Sequence, residues 1–223
     1  MLNELKNYQG KIYPLIDKKL LEQEPYVFDF SENNQDLIKI NIDNDQEFSD
    51  CVSKTVKENN ACWGLGKYNE NRTVYRNSSL FNNGEEEERT VHLGYDLWLT
   101  PGTPIYSPLS ARVHSFAYNK AYRDYGHTII LEHEINGLNF YTLYGHLQKN
   151  SLTGLREEQK IEAGQNFCWV GDLADNGQWP PHLHFQIITD MLGYRGDFPG
   201  VAKLSEREKY LNICPDPNLL FKY

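Results

Sequence analysis

The second half of the chain is a series of short apolar segments separated by turn residues, and this pattern restricts the fold more than any other feature. Seven segments have the length and the aromatic and β-branched content of strands. They lie at residues 91–99, 104–106, 111–118, 127–133, 140–146, 167–170 and 182–188. The segments between them are rich in glycine, proline, asparagine and aspartate. They lack the helical stretches that connect the strands of a parallel sheet. We therefore predict a mainly β fold with an antiparallel core, built as a two-sheet β-sandwich or as a barrel-like variant.

The first sixty residues predict a small α+β appendage. Apolar side chains alternate over residues 26–30 and 37–42, with turn residues between them, as in a β-hairpin. Residues 43–45 can cap a following helix, on which Phe48 and Val52 have helical spacing. No catalytic constellation occurs in this region, so we expect a structural or protein-binding role. The predicted regions are residues 1–60 as a ββα unit, residues 61–89 as a loop-rich linker packing on the core, and residues 90–223 as the β domain with a C-terminal tail.

Charge and hydropathy narrow the choice of partners. The formal net charge is −9 and Lys and Arg do not cluster, so we expect neither nucleic acid nor an anionic membrane as a partner. No apolar run approaches the roughly 20 residues that span a bilayer. The first residues lack the basic and apolar regions of a secretory signal, so a cytoplasmic location is expected. The sequence leaves the oligomeric state open.

Cys51, Cys62, Cys168 and Cys214 form no Cys-x-x-Cys pair. Their spacing matches neither a zinc knuckle nor a dense disulfide scaffold. We expect reduced, partly buried thiols, with a Cys51–Cys62 bridge as the alternative.

Four histidines and one aspartate are candidate ligands. His182 and His184 share one face of an extended strand, because side chains alternate along a strand. On a straight strand His92 and Asp96 would lie about 13 Å apart, too far for one metal ion, so we predict a bend that the glycine between them permits. His146 ends an aromatic segment. A catalytic zinc ion needs three protein ligands and one open position, which leaves two imidazoles for proton transfer.

The motifs that carry these residues resemble those of the lysostaphin-like zinc metallopeptidases, a family that contains the peptidoglycan endopeptidases. The matching segments are 91–96, 101–108, 144–147 and 181–185, and the resemblance covers about residues 90–190. It implies that His92, Asp96 and His184 bind one zinc ion per chain and that His146 and His182 are the catalytic histidines. Which of these two is the general base stays open at this point.

The resemblance implies hydrolysis of a peptide or amide bond, with a cell-wall peptide or muropeptide, or a small peptide or amide, as the substrate. Residues 171–180 depart from the Gly- and Thr-rich loop that borders the groove in the family, which puts the usual glycyl or D-alanyl substrate preference in doubt. Segments 63–76, 179–181 and 214–218 look like those of a subset whose members are fused to aminotransferase and kinase-like domains. Candidate substrate-binding residues are Arg72, Arg76, Tyr95, Tyr144 and Trp179.

The substrate-binding candidates also have simpler explanations. Arg72 and Arg76 could clamp a carboxylate or pair with the acidic run 85–88, and the aromatic side chains could belong to the core. The other three histidines are predicted to be structural; they are His114, His127 and His133.

Two other function classes compete with the peptidase. The strand-turn pattern also resembles the glucose-permease IIA phosphocarriers, in which paired histidines pass a phosphoryl group. Such a site needs no carboxylate ligand, so Asp96 argues against it. A non-catalytic binding module is the third class, and the presence of all five candidate residues argues against that one.

Overall fold

The computed structural model describes residues 2–31, 33–34, 40–72 and 87–222. The strands in this part of the chain are β1 (Tyr26–Phe28), β2 (Gly64–Gly66), β3 (Arg89–His92), β4 (Tyr95–Trp98), β5 (Pro104–Tyr106), β6 (Ala111–Asn119), β7 (Gly126–Ile135), β8 (Leu138–Leu147), β9 (Lys160–Ile161), β10 (Asn166–Trp169), β11 (His182–Ile188) and β12 (Val201–Lys203). The helices are α1 (Leu2–Lys6), α2 (Lys18–Leu21), α3 (Asp45–Glu58), α4 (Arg207–Ile213) and α5 (Asn218–Phe221), with 3₁₀ turns at Lys149–Leu152 and Leu204–Glu206. The predicted mainly β fold is confirmed.

Eight of these strands form one large sheet in the order β1-β2-β4-β11-β8-β7-β6-β9, and two-stranded sheets pair β10 with β5 and β12 with β3. The large sheet is mixed, because β1 and β2 of the N-terminal part are parallel, whereas β3 to β12 pair antiparallel, as predicted for the core. The reason is the helix α3, which lies between β1 and β2 and returns the chain to run in the same direction. The packing of the sheets as a two-sheet sandwich stays a prediction.

The N-terminal region is joined to the large sheet instead of standing apart from it. The predicted helix is present as α3, and the side chain of Asn44 caps it by accepting the N–H of Glu47. Of the predicted hairpin, residues 35–39 lie outside the described residues, and residues 40–42 are not in a strand. Phe28, Phe30 and Phe48 pack in one buried cluster with aromatic side chains of the β domain.

The central strand β11 is buried along its whole length. Leu183, Phe185 and Ile187 point into the main core. Alternation places His182 and His184 on the opposite face, so the two candidate histidines lie away from the main core. None of the helices in the described residues is long and apolar enough to cross a bilayer. All four cysteines are unbridged, so the Cys51–Cys62 alternative is not formed.

His133 has a structural role of the kind predicted, and it makes folding stability depend on pH. Its Nδ1–H donates to the Ser110 carbonyl (3.1 Å) and its Nε2 lies 2.7 Å from the Thr142 hydroxyl oxygen. Burial lowers the pKa of His133 to about 4. In the unfolded chain the pKa is about 6.5, so between these values the unfolded state binds more protons than the folded state. Stability from the neutral ring is therefore present above pH 6.5 and lost as the pH falls toward 4.

We expect His133→Gln to flatten the pH dependence of the free energy of unfolding. Between pH 7 and pH 4 the free energy of unfolding of the wild type should fall by up to about 3 kcal/mol more than that of the variant. Urea unfolding at several pH values measures this, and the difference at pH 8 gives the packing cost to be subtracted. Parallel curves for the two proteins would contradict the assignment.

Candidate metal centre

Adjacent strands of the large sheet bring the candidate residues together. On β11 and β4, His184 lies opposite Asp96 and His182 lies opposite Trp98, so these four side chains share one face. On the other side of β11, Gly145 of β8 lies opposite His184. The site is therefore on the face opposite the main core.

The predicted bend between His92 and Asp96 is present. Strand β3 ends at His92 and pairs with β12, whereas β4 begins at Tyr95 and pairs with β11. As a result His92 Nε2 lies 3.2 Å from Asp96 Oδ1. The bend passes through Gly94, where a Cβ atom would lie 2.7 Å from the His184 ring. Only glycine leaves room for that imidazole.

Three ligand atoms form a compact triangle. His184 Nδ1 lies 3.0 Å from Asp96 Oδ1 and 3.1 Å from His92 Nε2. Within the described residues these side chains form a group able to hold a metal ion, and all three are buried. Ligand atoms of a tetrahedral zinc site, with bonds of about 2 Å, lie roughly 3.3 Å apart. Two imidazoles and a carboxylate at this spacing fit one such ion.

Hydrogen bonds on the far side of each imidazole fix which nitrogen faces the centre. His92 Nδ1–H donates to the Lys67 carbonyl (2.8 Å), which can only accept, so Nε2 faces inward. His184 Nε2–H donates to Gln186 Oε1 (2.9 Å), so Nδ1 faces inward. The Gln186 amide is itself oriented, because its Nε2 donates to the Pro199 carbonyl. Contacts of this kind orient metal-binding histidines.

His146 and His182 lie beside the triangle, with ring centroids 4.1 Å apart. His146 Nδ1–H donates to the Asn176 carbonyl and His182 Nδ1–H to the Pro180 carbonyl, which leaves both Nε2 atoms as acceptors. His182 Nε2 lies 3.8 Å from Asp96 Oδ1.

A β-bulge aims His146 at the site. Three residue steps on β8 lie opposite two on β7 between the pairs Leu147–His127 and Tyr144–Ile129, so β8 carries one extra residue there. His146 has φ +63°, in the left-handed region that non-glycine residues rarely adopt. Bulges and strained residues of this kind concentrate at functional sites, where they redirect a side chain.

Burial lowers the pKa of three imidazoles at the site, those of His92, His146 and His182. Burial, with the nearby Arg72 guanidinium, lowers the pKa of His92 to about 4, and burial likewise lowers the pKa of His182 to about 4. Burial also holds the pKa of His146 well below its ordinary value. For Asp96, burial acts to raise the pKa, but its contacts with the His92 imidazole, the Arg72 guanidinium and the His184 imidazole outweigh burial, and the pKa lies well below its usual range. These are the protonation states that metal binding requires.

The candidate substrate-binding residues differ in whether their side chains lie in the main core or line a cavity at the site. Tyr95 and Tyr144 lie on the opposite face from Asp96 and Gly145 and pack in or against the main core. Trp179 lines a cavity at the site, with its N–H donating to the Arg123 carbonyl. Arg72 lies in the same cavity wall, but its guanidinium contacts Asp96 and Glu70. Arg76 lies outside the described residues.

The cavity has a volume of about 330 Å³, at the lower end of the range for small-molecule sites. Its wall contains all five candidate metal-binding and catalytic residues. The rest of the wall combines aromatic side chains, among them Phe30 and Phe48 from the N-terminal region, with charged ones. The charged side chains are those of Arg72, Arg89, Arg123, Asp124 and Asp197.

Trp98 is a site residue that the motifs did not identify. Its side chain is 5% exposed and its ring centroid lies 4.3 Å from that of His182. Among the described residues no acceptor pairs with its indole N–H. An unpaired buried donor costs about 1–3 kcal/mol, which makes a substrate acceptor favourable there.

The mainly β domain thus holds two imidazoles and one carboxylate in a triangle, with two further histidines beside it. Residues 90–194 match the family model described as Peptidase family M23. The resemblance inferred from the motifs is thus confirmed. No curated protein matches the chain.

Several solved structures are similar. A zinc containing peptidase from Vibrio cholerae is 28% identical over 45% of this chain and 28% of that chain, with TM-score 0.36. The catalytic domain of the antimicrobial peptidase lysostaphin from Staphylococcus simulans is 24% identical over 54% of this chain and 80% of that chain, with TM-score 0.38. Csd3 from Helicobacter pylori is 23% identical over 56% of this chain and 32% of that chain, with TM-score 0.31. The chain therefore spans about a third or less of the Vibrio and Helicobacter proteins.

Proposed function

We propose that the protein is a zinc-dependent hydrolase that cleaves a peptide or amide bond. The observation that carries this is the buried triangle of His92 Nε2, Asp96 Oδ1 and His184 Nδ1 beside two uncharged imidazoles. These three atoms would hold the ion, one per chain, and leave one position open. When bound, zinc acidifies the attacking water and polarises the scissile carbonyl.

His182 and His146 are the proposed catalytic residues. Each offers an unprotonated Nε2, since the Nδ1 proton is held by a backbone carbonyl. His182 Nε2 lies 3.8 Å from Asp96 Oδ1, which favours His182 as the group that takes a proton from the attacking water. His182, charged after it has taken this proton, can then donate the proton to the leaving nitrogen. His146 would stabilise the negative charge on the carbonyl oxygen after its Nε2 has taken up a proton from solvent, since only a protonated Nε2 can donate to that oxygen.

The proposed substrate is a short peptide or a small amide. The cavity is small, and the N-terminal region supplies two of its aromatic walls. In this assignment residues 90–223 carry the chemistry, while residues 1–60 and 61–89 complete the substrate site. The unpaired Trp98 N–H offers a donor for a substrate carbonyl oxygen. The match to the M23 family model keeps peptidoglycan peptides as the second substrate class.

Metal analysis combined with an amide-hydrolysis assay tests the proposal. The purified protein should hold about one zinc ion per chain. It should release amines from N-acetylated short peptides or from muropeptides, lose this activity to a chelator, and regain it with zinc. A protein that binds no divalent ion at neutral pH contradicts the proposal. Phosphoryl transfer to a histidine of such a metal-free protein would favour the phosphocarrier.

A further inference from the structure

The two carboxylate oxygens of Asp96 have different partners. Oδ1 lies 3.0 Å from His184 Nδ1 and 3.2 Å from His92 Nε2, whereas Oδ2 lies 2.5 Å from Arg72 Nη1. We propose that Arg72 is a positioning residue of the metal centre, which occupies Oδ2 so that Asp96 binds the ion through Oδ1 alone. This inference rests on the proposed function, since it assumes that the triangle holds a metal ion.

Arg72 is itself held rigidly. Its Nε lies 3.0 Å from Glu70 Oε2, and its backbone N–H donates to the Thr90 carbonyl. Glu70 in turn accepts from the Lys67 ammonium (2.9 Å) and from the Phe30 N–H. Arg72 is 2% exposed and Glu70 7%. The planar guanidinium makes charge-assisted hydrogen bonds to Glu70 on one side and to Asp96 on the other. It therefore fixes the rotamer of the Asp96 carboxylate.

The neighbouring strand leaves space for this guanidinium. Gly66 of β2 lies opposite Asp96 on β4. A Cβ atom at Gly66 would lie 2.7 Å from Arg72 Nη2 and 3.1 Å from Asp96 Cβ. Any larger residue would displace the Arg72–Asp96 contact.

This support comes from outside the segment that matches the peptidase family. The family match covers residues 90–194, whereas Lys67 and Arg72 precede it. The Lys67 carbonyl accepts the His92 Nδ1–H, and Arg72 contacts Asp96. Two of the three proposed ligands are thus oriented by the part of the chain between residues 66 and 72.

The chemical consequence concerns the open position of the ion. A carboxylate can bind a cation through one oxygen or through both. If Oδ2 were free, Asp96 could bind through both oxygens and add a fifth ligand beside the position that a catalytic zinc ion keeps for water. The guanidinium also draws charge from Asp96, which makes the ion a stronger Lewis acid. Arg72 therefore acts on the coordination number, whatever its effect on affinity.

Cobalt(II) absorption and X-ray absorption spectroscopy of Arg72→Met test this, with the metal alone as the probe. Cobalt-loaded wild type should give the strong visible bands of a four-coordinate ion. Arg72→Met should give a five-coordinate ion, with visible bands several-fold weaker and one more oxygen in the first coordination sphere. Arg72→Lys keeps the positive charge but lacks the planar guanidinium with its several N–H donors. It should therefore restore only part of the wild-type spectrum.

Glu70→Gln is the matched control, because it changes the same network while leaving Arg72 on Asp96. It should keep the wild-type spectrum. If Arg72→Met fails to fold because Glu70 loses its buried guanidinium partner, the double variant Glu70→Gln/Arg72→Met removes both charges and should show the five-coordinate spectrum. A four-coordinate spectrum in a metal-loaded variant lacking Arg72, or the same spectral change in Glu70→Gln, overturns the inference. Failure of wild type to bind either cobalt or zinc overturns the proposed function instead.

Discussion

Replacing His184 with alanine is expected to abolish metal binding and hydrolysis together. His184 Nδ1 is one corner of the ligand triangle, and two protein ligands do not retain zinc as three do. The strand that carries it stays paired on both sides through its backbone. The variant should therefore fold but contain far less than one zinc ion per chain, as measured by mass spectrometry of the metal.

A thermal shift separates loss of the ion from loss of the fold. Zinc at 100 times its dissociation constant should stabilise the wild type by about 2.7 kcal/mol, and it should not stabilise His184→Ala. His127→Ala is a suitable control, because His127 lies on β7 and contacts the Asp175 carbonyl and the Tyr118 ring. It should keep its zinc. Full zinc content in His184→Ala would show that this residue is not a ligand.

Asp96→Ala is a less clear experiment, for a reason specific to this chain. Removing Asp96 takes one carboxylate from the buried Arg72 guanidinium, whose Nε still contacts Glu70. Breaking a buried ion pair by removing one member typically costs about 3–5 kcal/mol. Metal loss in that variant would be mixed with destabilisation, so His184→Ala is the better test of the ligand set.

The grouping of the candidate residues could be predicted from the sequence better than the sheet around them. Four short motifs singled out His92, Asp96, His146, His182 and His184, and the bend at Gly94 was predicted because a straight strand would hold His92 and Asp96 about 13 Å apart. Alternation also placed His182 and His184 on one face correctly. These features follow from local geometry, which is why they could be read from the chain.

The remaining features depend on contacts between distant segments. The parallel pairing of β1 with β2 depends on where α3 packs, and the Arg72–Asp96 contact joins residues 24 positions apart. Tyr144 was expected to face the site with His146, but the extra residue in β8 breaks the alternation between them. Sequence periodicity gives no signal for such a bulge, and no motif marks Arg72 as the partner of a metal-binding carboxylate.

Replacing His146 is expected to abolish hydrolysis while the metal ion stays bound. The His146 ring lies 4.1 Å from that of His182 and 6.4 Å from that of His184, and no atom of it belongs to the ligand triangle. Loss of a positioned acid–base group typically lowers the rate about 10²–10⁴-fold. His146→Ala should therefore contain as much zinc as wild type and show a fall in kcat of this size.

The backbone at His146 suggests a second variant that separates chemistry from strain. Asparagine tolerates the left-handed conformation better than alanine does, so His146→Asn should unfold at a higher temperature than His146→Ala. Both variants lack the imidazole Nε2, so both should be equally inactive. Equal loss of activity with unequal stability would place the effect on the imidazole. Loss of zinc in both would instead make His146 a ligand, and the roles of His146 and one member of the triangle would have to be exchanged.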